Sequence, residues 1–147
     1  MERKNFLTNL KGGLMLLLLS LMFVSCDKKD DTRDDEPETN PENIIGRWQK
    51  FQVEIEDNIW EPGDPDEFWI FESDGSFKNE DGGEITAVGT YQINGNILSI
   101  FSHSLDDPDD TENYSGEFYF TNGNLIYDYY ELETGEKSKV LFKKCNI

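Results

Sequence analysis

Cysteine, histidine and basic residues are all scarce in this chain, and each scarcity removes a class of explanation. Two cysteines in 147 residues cannot supply the disulfide framework of a small secreted scaffold. The one histidine, His103, falls at a strand end beside an acidic loop with no serine or cysteine motif pointing to it, and reads as a solvated loop residue. Lys and Arg together number 13 against 31 Asp and Glu, a net charge of -18, so nucleic acid is a poor partner. Carboxylates are so plentiful that no two stand out as an acid/base pair, and no catalytic residue, cofactor or metal site is expected. Asp106-Asp-Pro-Asp-Asp110 has oxygens for calcium but lacks the order of ligands and the glycine of an EF-hand, and reads as solubilising charge.

Long apolar runs are also missing, with one short exception. Arg3, Lys4 and Lys11 lead into Leu14-Met-Leu-Leu-Leu-Leu-Ser-Leu-Met-Phe-Val24, then Ser25-Cys26. About a dozen apolar residues are too few to cross a hydrocarbon core as a helix, so residues 1–25 read as a cleaved export signal. Phe23-Val24-Ser25-Cys26 resembles the lipobox of bacterial lipoproteins. The resemblance implies that Cys26 is acylated, becomes the mature N-terminus and anchors the protein to the membrane through several acyl chains, palmitate among them.

Residues 26–42 carry no aliphatic or aromatic side chain beyond the cysteine and cannot bury anything. They read as a disordered, acidic spacer that lifts a domain off the bilayer. The lysines and acids just behind Cys26 resemble export tethers that, in some Gram-negative lineages, send lipoproteins to the outer face of the outer membrane. Outer-membrane, cell-surface localisation is the expectation. Losing residues 1–25 removes three basic residues and one acid, so the mature chain is more acidic still. With Cys26 lipidated, only Cys145 is left, expected as a sheltered thiol.

Residues 43–147 suffice for one domain with a modest core. Short runs rich in Val, Ile, Phe, Tyr and Trp alternate with Gly, Asn and Asp clusters, and no helix stands out. The runs are 44–55, 67–73, 76–80, 85–93, 97–102, 114–121, 124–131 and 137–144. That spacing predicts an all-β, eight-stranded, up-and-down antiparallel meander.

The connections differ in kind. Asp74-Gly75, Asn94-Gly95 and Asn122-Gly123 are tight-turn dipeptides, whereas 57–66, 81–84, 103–113 and 133–136 are longer links. Alternate loops of a meander lie at opposite ends, so one end should be sealed by turns and the other rimmed by acidic loops. The Asn122-Gly123 turn pairs Phe120 with Leu125, Phe118 with Tyr127 and Gly116 with Tyr129, and puts Glu117 opposite Asp128 on the wet face. A three-residue loop at Asp74-Gly75 would set Phe71 opposite Phe77; Asn94-Gly95 would set Tyr91 opposite Leu98 and Gly89 opposite Ile100.

Gly46-Arg47-Trp48 resembles the Gly-X-Trp signature of lipocalins, and the 71–77 and 89–98 hairpins are similar to those of compact lipocalin-like domains on bacterial lipoproteins. The resemblance implies a closed barrel whose sealed end is shut by Gly46 and Trp48, binding a small apolar molecule without catalysis. Lipocalins commonly stack an arginine of the last strand on that tryptophan; here Lys143 or Lys144 stands in its place. Cavity candidates are Trp69, Phe71, Phe77, Tyr91, Phe118, Tyr127 and Tyr129, with Phe120 and Phe142 also inward and Gly89 and Gly116 leaving room beside the rings. The acidic mouth favours neutral or cationic ligands. The competing reading is a filled scaffold that meets a protein partner through outward Phe51, Val53, Phe68 and Ile70, provided the first strand alternates regularly; a bulge would turn some of them inward.

Overall fold

The computed structural model describes residues 39–146; positions 1–38, which hold the expected signal, Cys26 and most of the spacer, lie outside the described residues. A short 3-10 helix, Pro41–Ile44, precedes nine strands: β1 Gly46–Glu56, β2 Ile59–Pro62, β3 Glu67–Phe71, β4 Ser76–Asp81, β5 Glu84–Asn94, β6 Ile97–Ser104, β7 Thr111–Thr121, β8 Asn124–Glu131 and β9 Lys137–Cys145. Every neighbouring pair from β3 to β9 is antiparallel and consecutive, and β1 pairs with both β3 and β9. Eight strands thus close into an antiparallel up-and-down barrel, as the alternation of runs and turns predicts.

The ninth strand is a correction. Residues 57–66 are not one loop: Asn58 at φ 64 completes a tight turn, and β2 folds back on the second half of β1. β3 covers the first half of β1 and β2 the second, on the same side. Between them the chain passes so near β1 that a Cβ on Gly63 would strike the Lys50 carbonyl.

Turn chemistry accounts for the register. Phe118 faces Tyr127, Gly116 faces Tyr129 and Glu117 faces Asp128, as the Asn122-Gly123 turn demands. Lys139 stands opposite Asp128, and Lys137 Nζ lies 3.3 Å from its Oδ1, an ion pair without hydrogen-bond geometry; together they offset the repulsion from Glu117. Phe71 faces Phe77 across a three-residue loop with Gly75 at φ 86. At the third turn the expectation fails by two residues. Tyr91 faces Ile100 and Gly89 faces Ser102, because Gly95-Asn96, not Asn94-Gly95, forms the loop, with Gly95 at φ 62 as the first central residue. Sliding the pairing by two keeps every side chain on its face. The 81–84 link is also tighter than expected: Gly82 and Gly83, both at positive φ, make a two-residue turn.

One end of the barrel is plugged. Ile44 is wholly buried beneath it, and the Trp48 indole Nε1 donates to the Ile44 carbonyl at 2.6 Å. Lys144 takes the position opposite Trp48, its Nζ 5.2 Å from the ring centroid and donating to the Asn43 carbonyl at 3.2 Å. Burial pushes the Lys144 amine down from its ordinary pKa. The plug begins at Pro41, inside the stretch expected to be spacer. Cys145, expected as a free thiol, is disulfide-bonded.

Gly89 and Gly116 do not leave room. A Cβ at Gly89 would overlap the Phe101 carbonyl, and one at Gly116 the Asp128 carbonyl, so these are points where adjacent strands crowd as the sheet bends to close. Ala at either position is expected to lower unfolding free energy by about 3 kcal/mol, read by urea denaturation, since backbone and not a mobile side chain must yield. Gly95→Asn, in open space at a φ that asparagine tolerates, should cost well under about 1 kcal/mol.

Candidate functional site at the loop end of the barrel

The inward face can be read along each strand from the turn end to the loop end. Phe71, Phe77, Leu98, Phe120, Leu125 and Phe142 lie next to the turns or the plug and are buried. Trp69, Ile100, Phe118 and Tyr127 follow. Trp69 is the hub: its ring centroid lies 4.9 Å from Phe142, 5.4 Å from Phe77, 5.6 Å from Tyr114, 6.0 Å from Tyr129 and 6.2 Å from Tyr127. Phe71 meets Phe77 and Tyr91, and Phe118 meets Phe120. The expected cavity residues are therefore inward and in mutual ring contact, with Tyr91 only half-buried beside the 72–76 turn.

Two of the tyrosine hydroxyls that could have called for a ligand have protein partners. Tyr91 donates to the Glu72 carbonyl and Tyr127 to the Leu98 carbonyl, each at 2.8 Å. The turn-end half is thus knit to its own wall.

Toward the loops the inward face turns polar. Lys50 and Glu67 pair at 2.8 Å, and the other Glu67 oxygen accepts from Trp69 Nε1 at 3.1 Å. Tyr114 stacks on Trp69 at 24° and donates to Glu112 Oε2 at 2.8 Å. Asn79 stands between Trp69 and Ala87, both inward and buried, and its Oδ1 is closed to solvent with no hydrogen-bond partner. Burial pushes the Tyr129 hydroxyl up to about 12, and the charges of Glu67, Glu112 and Glu131 add to the effect while Ser138 opposes it. Burial also raises Tyr127 and Tyr114, the latter with help from Glu112.

Lys50 shares this face with Trp48, two residues before it, and a bulge follows directly. Lys50 faces Phe142 and Gln52 faces Leu141, so Phe51 is the extra residue. Beyond it Val53 pairs with Val140 and packs against the core, which takes Val53 out of the expected outward patch. The patch that remains is capped by cations: Lys143 Nζ sits 3.2 Å over the Phe51 ring and the Arg47 guanidinium 3.4 Å over Phe68 while forking onto Glu80. Ile70 lies beside Arg47, half-buried.

Tyr114, Glu67, Glu112, Asn79 and Lys50 are members of the site that the sequence reading passes over. Glu67 lies two residues from Trp69, Asn79 two from Phe77 and Glu112 two from Tyr114, so strand alternation alone could have found them. Lys50 lies two from the inward Trp48 and follows from the same alternation. His103 lies on the outward face of β6, between Val88 and Thr111. Among the described residues no group of three or more His, Cys, Asp or Glu side chains is placed to hold a metal ion.

No family model matches the chain, and no curated protein does. Among solved structures it is similar to a lipocalin-like protein from Bacteroides uniformis, with 22% identity and a TM-score of 0.49, over 69% of this chain and 98% of that one. The barrel assignment rests on the strand pairing itself.

Between pH 10, where an unfolded tyrosine ionises, and about 12, where Tyr129 does, the folded chain holds a proton that the unfolded chain has lost. Stability should therefore be intact below pH 10 and fall above it, by up to about 1.4 kcal/mol per pH unit for each buried tyrosine. Urea midpoints at pH 9 and pH 11 check this, and Tyr129→Phe should flatten the fall.

Proposed function

We propose that the chain is a lipid-anchored, lipocalin-like barrel, held by acylated Cys26 at the outer membrane and displayed on the cell surface, that binds a small apolar molecule, neutral or cationic, without catalysis. The observation that supports it best is the loop-end interior, where Trp69, Tyr114 and Tyr129 lie under Glu67, Glu112 and Glu131 with Lys50 the one cation described among them. Aromatic faces attract apolar and cationic groups, and the carboxylates repel acids.

The chain ends favour an outward-facing mouth. Gly46 pairs with Phe71 and Arg47 with Cys145, so the first and last strands begin and end at the plugged end, where the spacer joins. A membrane anchor at Cys26 would put the acidic loops farthest from phosphate head groups. Mass spectrometry of protein from its native membrane should find acyl chains on the N-terminal peptide; an unmodified Cys26 overturns the anchor.

The filled-scaffold reading draws on a specific observation as well, the ring contacts of Trp69 and the satisfied hydroxyls of Tyr91 and Tyr127. Its partner surface would be Phe51, Phe68 and Ile70. Native mass spectrometry separates the two readings: a retained small molecule supports binding, and bare protein that also takes up no apolar fluorescent probe supports the scaffold. On whole cells, cysteines at Asp81 and Asp109 should react with an impermeant maleimide faster than one at Asn96; the reverse order would turn the barrel over.

A further inference from the structure

Asn79 presents an acceptor that the protein leaves unused. Its Oδ1 is closed to solvent, accepts nothing, and lies inside the barrel at the level of Trp69. Stranding a buried carbonyl oxygen is unfavourable, and an inward site that keeps one is suited to a donor brought from outside. Around the same ring are two anionic acceptors: Glu67, bonded to Trp69 Nε1, and Glu112, bonded to the hydroxyl of Tyr114, which stacks on Trp69. Lys50 offsets Glu67, but no ion pair among the described residues offsets Glu112, and a neutral ligand would leave that charge as it stands. A quaternary ammonium would balance it but has no N–H for Asn79.

We infer that the ligand is a protonated primary or secondary amine on an apolar body, its N–H groups directed to Asn79 Oδ1 and to the carboxylates of Glu67 and Glu112, and its body laid on Tyr114 and Tyr129. This rests on the binding reading above and narrows it to one ligand class. Ammonium is matched three ways at once: positive charge for the acids, N–H for the stranded carbonyl and polarisability for the rings. Lys50 is the native occupant of part of that role, since it pairs with Glu67; the amine competes with it and frees it toward the acidic loops.

Three probes of similar shape test the inference on the full-length protein in nanodiscs, with empty nanodiscs as reference: 1-naphthylmethylamine, its N-trimethyl analogue and 1-naphthylmethanol. Calorimetric titration at pH 7 should rank the primary amine at least tenfold tighter than either of the others. Asn79→Leu should weaken the amine about tenfold, leave the alcohol unchanged and raise the melting temperature of the free protein, because the stranded oxygen is gone. A merely structural asparagine would lower the melting temperature and spare the ranking. Glu112→Gln keeps an acceptor for Tyr114 and should also weaken the amine selectively, which decides the matter if the Asn79 variant folds poorly. Equal affinity for amine and alcohol, or an amine indifferent to both substitutions, overturns the ammonium inference while the barrel remains a binder. Binding of none of the three overturns the binding reading with it.

Discussion

Everything inside this barrel is arranged around the Trp69 indole. Its faces and edges touch rings from β4, β7, β8 and β9, so a single side chain on β3 ties its own hairpin to the last three strands of the barrel. Its one polar atom points the other way, to Glu67. The indole therefore divides the interior: hydrocarbon toward the turns, hydrogen-bonding groups toward the loops. Aromatic contacts of this kind add roughly 0.5–1.5 kcal/mol each beyond the area they bury, which makes one hub worth several ordinary core residues.

Much of the fold was legible because turn dipeptides carry register with them. Asn122-Gly123 and Asp74-Gly75 set two hairpins correctly down to the paired residue, and opposition of Glu117 with Asp128 told inside from outside. The hairpin at Gly95 slipped because Asn94-Gly95 and Gly95-Asn96 are both acceptable loops and alternation cannot choose between registers two residues apart. The inward aromatic set survived the slip for the same reason.

Bulges were what the sequence concealed. An extra residue in a strand has no composition of its own, and Phe51 looks like any outward aromatic. Its effect is large, because it rotates Val53 into the core, three residues from Lys50 and on the same face. A second irregularity next to Asn79 leaves Thr86 as the extra residue of β5. The polar half of the interior flanks these two irregular places, but its members follow from regular alternation; a search for inward rings recovered the packed half of the barrel and passed over the carboxylates, amide and amine on the same face. The close approaches at Gly89 and Gly116 were similarly invisible: a glycine facing inward suggests space, whereas here the neighbouring backbone has already taken it.

β2 bears on a different matter, the behaviour of many copies side by side. A fully closed barrel has no unpaired strand edge, but β2 is bonded on one side only and reopens one. The exposure is kept small. The strand is four residues long, carries Glu61 in its middle and ends on Pro62, which has no N–H to offer a neighbour. High local concentration rewards any edge able to accept another strand. An edge this short and this charged gives a neighbouring copy little to pair with.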